Sequence, residues 1–226
     1  MLTNAVTKTI NQLFSPPFRS VLWKSIGLTI LMFMGLWFSL QSVSSIFFTP
    51  LLASWPWVLS ALNWLLGAGI VLGMGFLIAP VTSVFAGVFL DEVAEEVEKT
   101  YYPQDQIGTA LSLSQSSAIT MRFFLLVLIG NFIALLLVLF LGLGVLIFFL
   151  LNGYLLGIEY FQFAALRHHP MAEVKQLRKK FSFEIFIAGL AIAVLLSIPV
   201  VNLLTPLFAG ALMVHVYKSV RGKITN

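Results

Sequence analysis

Charged positions along this 226-residue chain fall in four blocks, Lys8 to Lys24, Asp91 to Arg122, Glu159 to Glu184 and Lys218 to Lys223. The three gaps between them, 25–90, 123–158 and 185–217, carry no charge at all. Each gap exceeds the ~20 apolar residues that one helix needs to cross a ~30 Å hydrocarbon layer. The pattern therefore predicts an all-α integral membrane protein in which every gap enters the bilayer and every charged block stays outside it.

Finer periodicity places elements within this frame. Leu2, Val6, Ile10 and Leu13 recur at spacings of three and four, opposite Thr3, Thr7, Lys8 and Asn11, which predicts an amphipathic helix over 1–14 lying on the membrane surface. Ser15-Pro16-Pro17 then interrupts the chain, with Ser15 suited to an N-cap and Pro16 to the first turn of the next helix. Gap 25–90 holds two crossings, whose elements run over 20–48 and 57–102. The join between them is rich in Ser and Pro, and Trp55, Trp57 and Trp64 with Phe47 and Phe48 form an interfacial aromatic belt. The second crossing continues outside the membrane, where Val93 and Val97 keep an apolar edge, Asp91, Glu92, Glu95, Glu96 and Glu98 are solvated, and Pro103 ends the helix after about Tyr102.

The remaining gaps, of 36 and 33 residues, are long for one span and short for two spans and a turn. Two re-entrant helical hairpins, over 122–166 and 183–218, resolve the arithmetic, with turns at Gly142-Leu143-Gly144 and at Ile198 to Asn202. Irregular backbone at that depth must be buried in protein or line a wet cavity. One tilted or kinked helix per gap, or two minimal spans with almost no loop, are the alternatives that hydropathy leaves open.

Composition narrows the class further. The chain is 59% hydrophobic and 10% charged, against about 25% charge in soluble domains. It has no cysteine, so neither disulfides nor thiolate metal sites arise. Met1–Phe14 lacks the apolar core and cleavage site of a signal peptide, so the first apolar span is expected to direct its own insertion. The net charge of +4 comes from basic residues beside the spans, the positive-inside signal. It places both termini and all the charged blocks on the cytoplasmic side of the membrane. No basic face with interleaved aromatics points to nucleic acid.

Candidate chemistry is sparse. Gly75, Ala79, Ser83 and Gly87, like Gly69 and Gly73, recur every four residues as close-packing surfaces, and Pro80 predicts a kink. Asn63, Asn131, Asn152, Asn202 and Thr82 either bridge helices or line a hydrophilic path. Bridging is the better reading for any one of them. His168 and His169 read as a solvated loop rather than a metal site, because adjacent imidazoles chelate poorly and only His215 remains as a third. With no nucleophile motif, paired intramembrane carboxylates or phosphate loop, neither an enzyme nor a cofactor or metal is expected. Arg19 stands at a helix start, where free N–H groups and a bidentate guanidinium attract an oxyanion; the bland alternative is that it snorkels to lipid phosphate.

The turn Pro16-Pro17-Phe18-Arg19, Ala79-Pro80 followed by Phe85 to Glu98, Gly157-Ile158-Glu159-Tyr160-Phe161, and Ile198 to Pro206 with Gly210 and Ala211 together resemble the bacterial CysZ-type sulfate permeases, which share the etoposide-induced-protein domain. The resemblance covers nearly the whole chain. It implies two transmembrane helices, two pairs of half-penetrating helices, a homo-oligomer and a sulfate channel supplying cysteine synthesis. It places the anion at Pro17, Phe18, Arg19 and Ser20, and the reading adds Glu159 and Asn202 to shape or gate the path. Two departures stand out: Pro17 replaces the family's glycine, and Ser20 stands where a second arginine often occurs. The rival reading is a non-transport membrane protein that binds partner proteins.

Overall fold

The computed structural model describes residues 2–69, 88–110, 144–198 and 201–225, all helices and connecting turns. The small-residue groove over Gly75 to Gly87, Gly73, the Pro80 kink, Asn131, Thr82 and the Gly142-Leu143 turn lie outside the described residues. In chain order the helices are α1 (Leu2–Leu13), α2 (Pro16–Val43, continuing to Leu51), α3 (56–69), α4 (Leu90–Tyr101), α5 (Gly144–Leu166), α6 (Met171–Lys180), α7 (Ser182–Leu196) and α8 (Thr205–Thr225). Among the described residues, three helical stretches are long and apolar enough to cross a membrane: Pro16–Leu51, Phe149–Leu166 and Val201–Lys223.

α8 is the axis of the molecule. In its most apolar stretch 83% of residues are buried inside the protein, against 11% in α2. Leu207, Leu212, Met213, Val216, Tyr217 and Val220 fill the core, and α1, α4, α5 and α7 all pack against this helix. α2 instead turns most of its apolar surface outward, as a lipid-facing span must. Its buried line, Phe18, Val21, Ser25, Thr29 and Phe33, follows the helical period. The Ser25 and Thr29 hydroxyls donate to the carbonyls of Val21 and Ser25, at 2.9 and 2.8 Å, so neither needs water.

α2 runs further than the serine- and proline-rich join implies. A π-helical turn over Ser44–Phe48 carries the helix on to Leu51. It lies just before Pro50, whose missing N–H and bulky ring conflict with a regular α register, and the wider turn absorbs that conflict. Ser44 Oγ donates to Asn63 Oδ1 at 2.7 Å, which makes Asn63 the helix-bridging residue it was expected to be. Trp55, Trp57 and Trp64 are exposed around the same turn. Downstream, a turn at Phe89 interrupts the helix before α4, and α4 ends at Tyr101, one residue before the expected Tyr102.

α7 packs against α8, which the short 3-10 segment Val201–Leu204 precedes; of the turn expected over Ile198 to Asn202, residues 199–200 lie outside the described residues. At a 1.5 Å rise, the 15 residues of α7 span about 22 Å, short of the hydrocarbon thickness. α7 crosses α5 at very close range through glycines. A Cβ on Gly157 would lie 2.6 Å from the Ile185 carbonyl oxygen, and one on Gly189 would run into the Gly153 carbonyl and lie 2.8 Å from Gly157 Cα. Gly153 and Gly157 thus form the small-xxx-small surface that lets two apolar backbones touch. The four-residue period of the chain points equally to this pair, which the reading of 69–87 passed over.

α1 is helical as expected, but its contact face is rotated. Ala5, Thr9, Gln12 and Leu13 are buried, while Ile10 remains 46% exposed. Small and hydroxyl side chains such as Ala5 and Thr9 admit the close approach to α8, and the apolar edge at Ile10 stays exposed.

These contacts predict that Gly189→Val, which forces overpacking at the α5–α7 crossing, lowers stability by at least the 1–3 kcal/mol typical of overpacked cores, ~2 kcal/mol or more. Gly27→Ala, where a Cβ meets nothing within 4 Å, should be neutral. Unfolding midpoints of the two variants in the same detergent compare them directly.

Candidate functional site

The sequence directs attention to the first turn of α2. Ser15 there is extended, with φ −69° and ψ 154°, and Pro16 and Pro17 supply the first two helical positions. Proline carries no N–H, so Phe18 is the first residue of the helix with a backbone donor. The Arg19 N–H is already given to the Ser15 carbonyl at 3.1 Å. A helix start that ordinarily offers several N–H groups to an anion is here reduced almost to the Arg19 guanidinium. That side chain is exposed, whereas Phe18 is buried and anchors the turn.

Pro17, Phe18 and Ser20 come together in one cleft of about 290 Å³ between α2 and α4, and Arg19 is not among its lining residues. The opposite wall is Glu92, Val93, Glu95, Glu96 and Lys99. Lys24 pairs with Glu92 at 2.8 Å and Lys99 with Glu95, and Glu96 accepts from the Thr100 hydroxyl at 3.2 Å, with no cation paired to it among the described residues. The cleft is net acidic and disfavours an anion, so the oxyanion chemistry of this turn rests on the outward face that carries Arg19. Glu159, half-buried on α5, and Asn202, in the 3-10 segment before α8, stand on two other elements. The Asn202 side-chain oxygen is buried with no hydrogen-bond partner among the described residues.

A second constellation was not foreseen. The helical period of α4 puts Glu98 on the same face as Val93, Ala94 and Val97, so it is buried rather than solvated. His168, read as part of a solvated loop, is buried beside it. Both Glu98 oxygens are occupied. Oε1 accepts from His168 Nε2 at 2.6 Å and lies 3.9 Å from Lys218 Nζ. Oε2 accepts from the Gly108 N–H at 2.9 Å and from Arg167 Nη2 at 3.3 Å. An ionised carboxylate only accepts, so His168 Nε2 carries the proton of this hydrogen bond. A Cβ on Gly108 would come within 2.7 Å of Arg167 Cβ, and only glycine brings its amide this close.

The surrounding groups hold this cluster. Arg167 also pairs with Asp91 and donates to the Gly108 carbonyl at 3.1 Å. Lys218 pairs with Asp105 at 3.2 Å. Tyr217 stacks on the His168 ring, with centroids 5.0 Å apart. Tyr102 shares a 2.9 Å hydrogen bond with His215 Nδ1, and Lys8 of α1 lies over the Tyr101 and Tyr102 rings. Burial and the neighbouring Asp105 and Tyr101 push the Tyr102 hydroxyl up to about 12. Burial acts to raise the Glu98 carboxyl too, but the hydrogen bonds from His168 and Gly108 and the charge of Arg167 outweigh it and hold the group at about 2. Among the described residues no three metal-ligating side chains group together.

A depressed folded-state pKa contributes stability that is fully present above the unfolded value and is lost as pH falls through the folded one. For Glu98 that window runs from 4.5 down to about 2. The contribution corresponds to about 3 kcal/mol at 1.36 kcal/mol per unit. Glu98→Gln should remove most of it at neutral pH and flatten the acid limb, which denaturation midpoints between pH 7 and pH 3 will read.

The family described as Sulfate transporter CysZ/Etoposide-induced protein 2.4 matches residues 5–206 of the chain. No curated protein matches it significantly.

Proposed function

We infer the function from family membership: this chain belongs to the sulfate transporter CysZ/etoposide-induced protein 2.4 family. It is accordingly a membrane protein of transporter type. We propose that it conducts sulfate or a related small oxyanion across a bacterial inner membrane, supplying sulfur assimilation, and that it does so as a homo-oligomer without a nucleotide site of its own.

The observation that carries this reading is the exposed Arg19 at the Pro16-Pro17 start of α2. With one proline-free donor behind it, the guanidinium becomes the dominant anion contact, and its fork geometry suits a tetrahedral oxyanion. Acidic residues behind the turn, Glu92, Glu95 and Glu96, bias an anion toward the outer face rather than the cleft. The short α7 and its paired α8 support a hairpin that dips into the bilayer and returns, which would put Asn202 near its tip and give the unpartnered amide oxygen a wet path to face. Glu159 would shape that path from α5. The outward apolar surface of α2, with open space at Gly27 and Gly35, is compatible with packing against a second copy as well as lipid.

Sulfate uptake into proteoliposomes tests the reading. Saturable uptake absent from empty liposomes is expected. Arg19→Ala should weaken apparent affinity by roughly 10- to 100-fold, as loss of a charged hydrogen bond worth about 1.5–3 kcal/mol requires. Pro17→Gly, which restores a backbone donor, should tighten it. A folded protein with no flux would instead favour a partner-binding role.

A further inference from the structure

The cluster around Glu98 has the composition of an anion site rather than of a simple ion pair. Four donor groups surround one carboxylate: the Arg167 guanidinium, the His168 Nε2–H and the Gly108 amide hydrogen-bond to it, and the Lys218 ammonium lies 3.9 Å away as an ion-pair partner. Charged side chains combined with a backbone N–H are the donor set by which proteins hold free carboxylates and other oxyanions. Here the anion is a side chain of α4, and all four donors come from other segments.

The three side chains are also held in place without Glu98. Arg167 is fixed by Asp91, by the Gly108 carbonyl at 3.1 Å and by its own carbonyl, which accepts from the Thr109 N–H at 2.9 Å. Lys218 is fixed by Asp105 at 3.2 Å and the Gln106 carbonyl at 3.4 Å. His168 is fixed by the Tyr217 ring stacked on it. The Arg167 side chain is 2% exposed, and its Nε has no partner among the described residues, so one more buried donor is available beside the site. The donor shell is thus preorganised, and the carboxylate is its replaceable member.

We propose that Arg167, His168, Lys218 and the Gly108 N–H form a binding cradle for a small carboxylate-class oxyanion, which the chain fills with its own Glu98 as a built-in counter-anion. Occupied in this way, three buried cationic or hydrogen-bond-donating side chains are neutralised, and α4 is locked to α8 and to the α5–α6 turn. The lock opens only when another anion takes the place of the Glu98 carboxylate. The proposal is independent of Arg19 and of whether the chain carries flux.

Chemical rescue tests it on the full-length protein. Glu98→Ala deletes Cγ and the carboxyl group, four heavy atoms that acetate replaces atom for atom. At constant pH and ionic strength, acetate should raise the thermal midpoint of Glu98→Ala saturably, recovering at least half of the loss relative to chloride, while wild type and Glu98→Gln, whose cradles are filled, do not respond. Adding Arg167→Gln to Glu98→Ala should abolish the recovery. Equal midpoints in acetate and chloride would overturn the proposal, and so would a Glu98→Ala protein that aggregates in acetate as readily as in chloride.

Discussion

A single buried carboxylate, Glu98, is the point on which polar groups from four separate parts of the chain converge. It draws Arg167 and His168 from the turn after α5, Lys218 from α8 and the Gly108 amide from the segment after α4 onto one point. Burying an ion costs several kcal/mol unless hydrogen bonds and opposite charge replace its water shell. The arrangement meets that condition on both oxygens. Charge is concentrated here because it cannot be placed in the apolar stretches of α5, α7 and α8. The network closes the polar end of a bundle whose apolar part is held by dispersion and close helix packing.

Those other contacts follow the rules of a lipid environment. Apolar side chains gain nothing by leaving lipid for one another, so helices associate where backbones can approach closely. Gly153, Gly157 and Gly189 supply that approach between α5 and α7. α8 occupies the centre because nearly its whole circumference is covered by protein, whereas α2 keeps its apolar surface toward lipid. The Ser25 and Thr29 hydroxyls of α2 are satisfied along their own helix, and Ser44–Asn63 ties α2 to α3 at the aromatic turn.

The two polar regions are organised in opposite senses. At the start of α2 two prolines strip the helix of donors and leave an exposed arginine. At Glu98 the donors are abundant, buried and already filled. One arrangement is open to the surface, and the other is closed by the protein itself.

The residue pattern alone determined that this chain is helical and enters a membrane, that a helix precedes the Ser15-Pro16-Pro17 break, and that α4 stops before Pro103. These are local consequences of hydrophobic periodicity and of proline geometry, which a neighbour in sequence suffices to set. It also marked Arg19, because a helix start and a guanidinium are local features. Only the tertiary structure decided which polar residues are buried. Glu98 and His168 read as solvated because their partners lie 70 residues apart along the chain, and a buried charge is compatible with folding only once those partners arrive. The rotation of α1 about its axis, the glycine crossing of α5 and α7 and the acidic wall beside the α2 turn were decided in the same way. Each depends on what packs opposite, and periodicity carries no information about the partner.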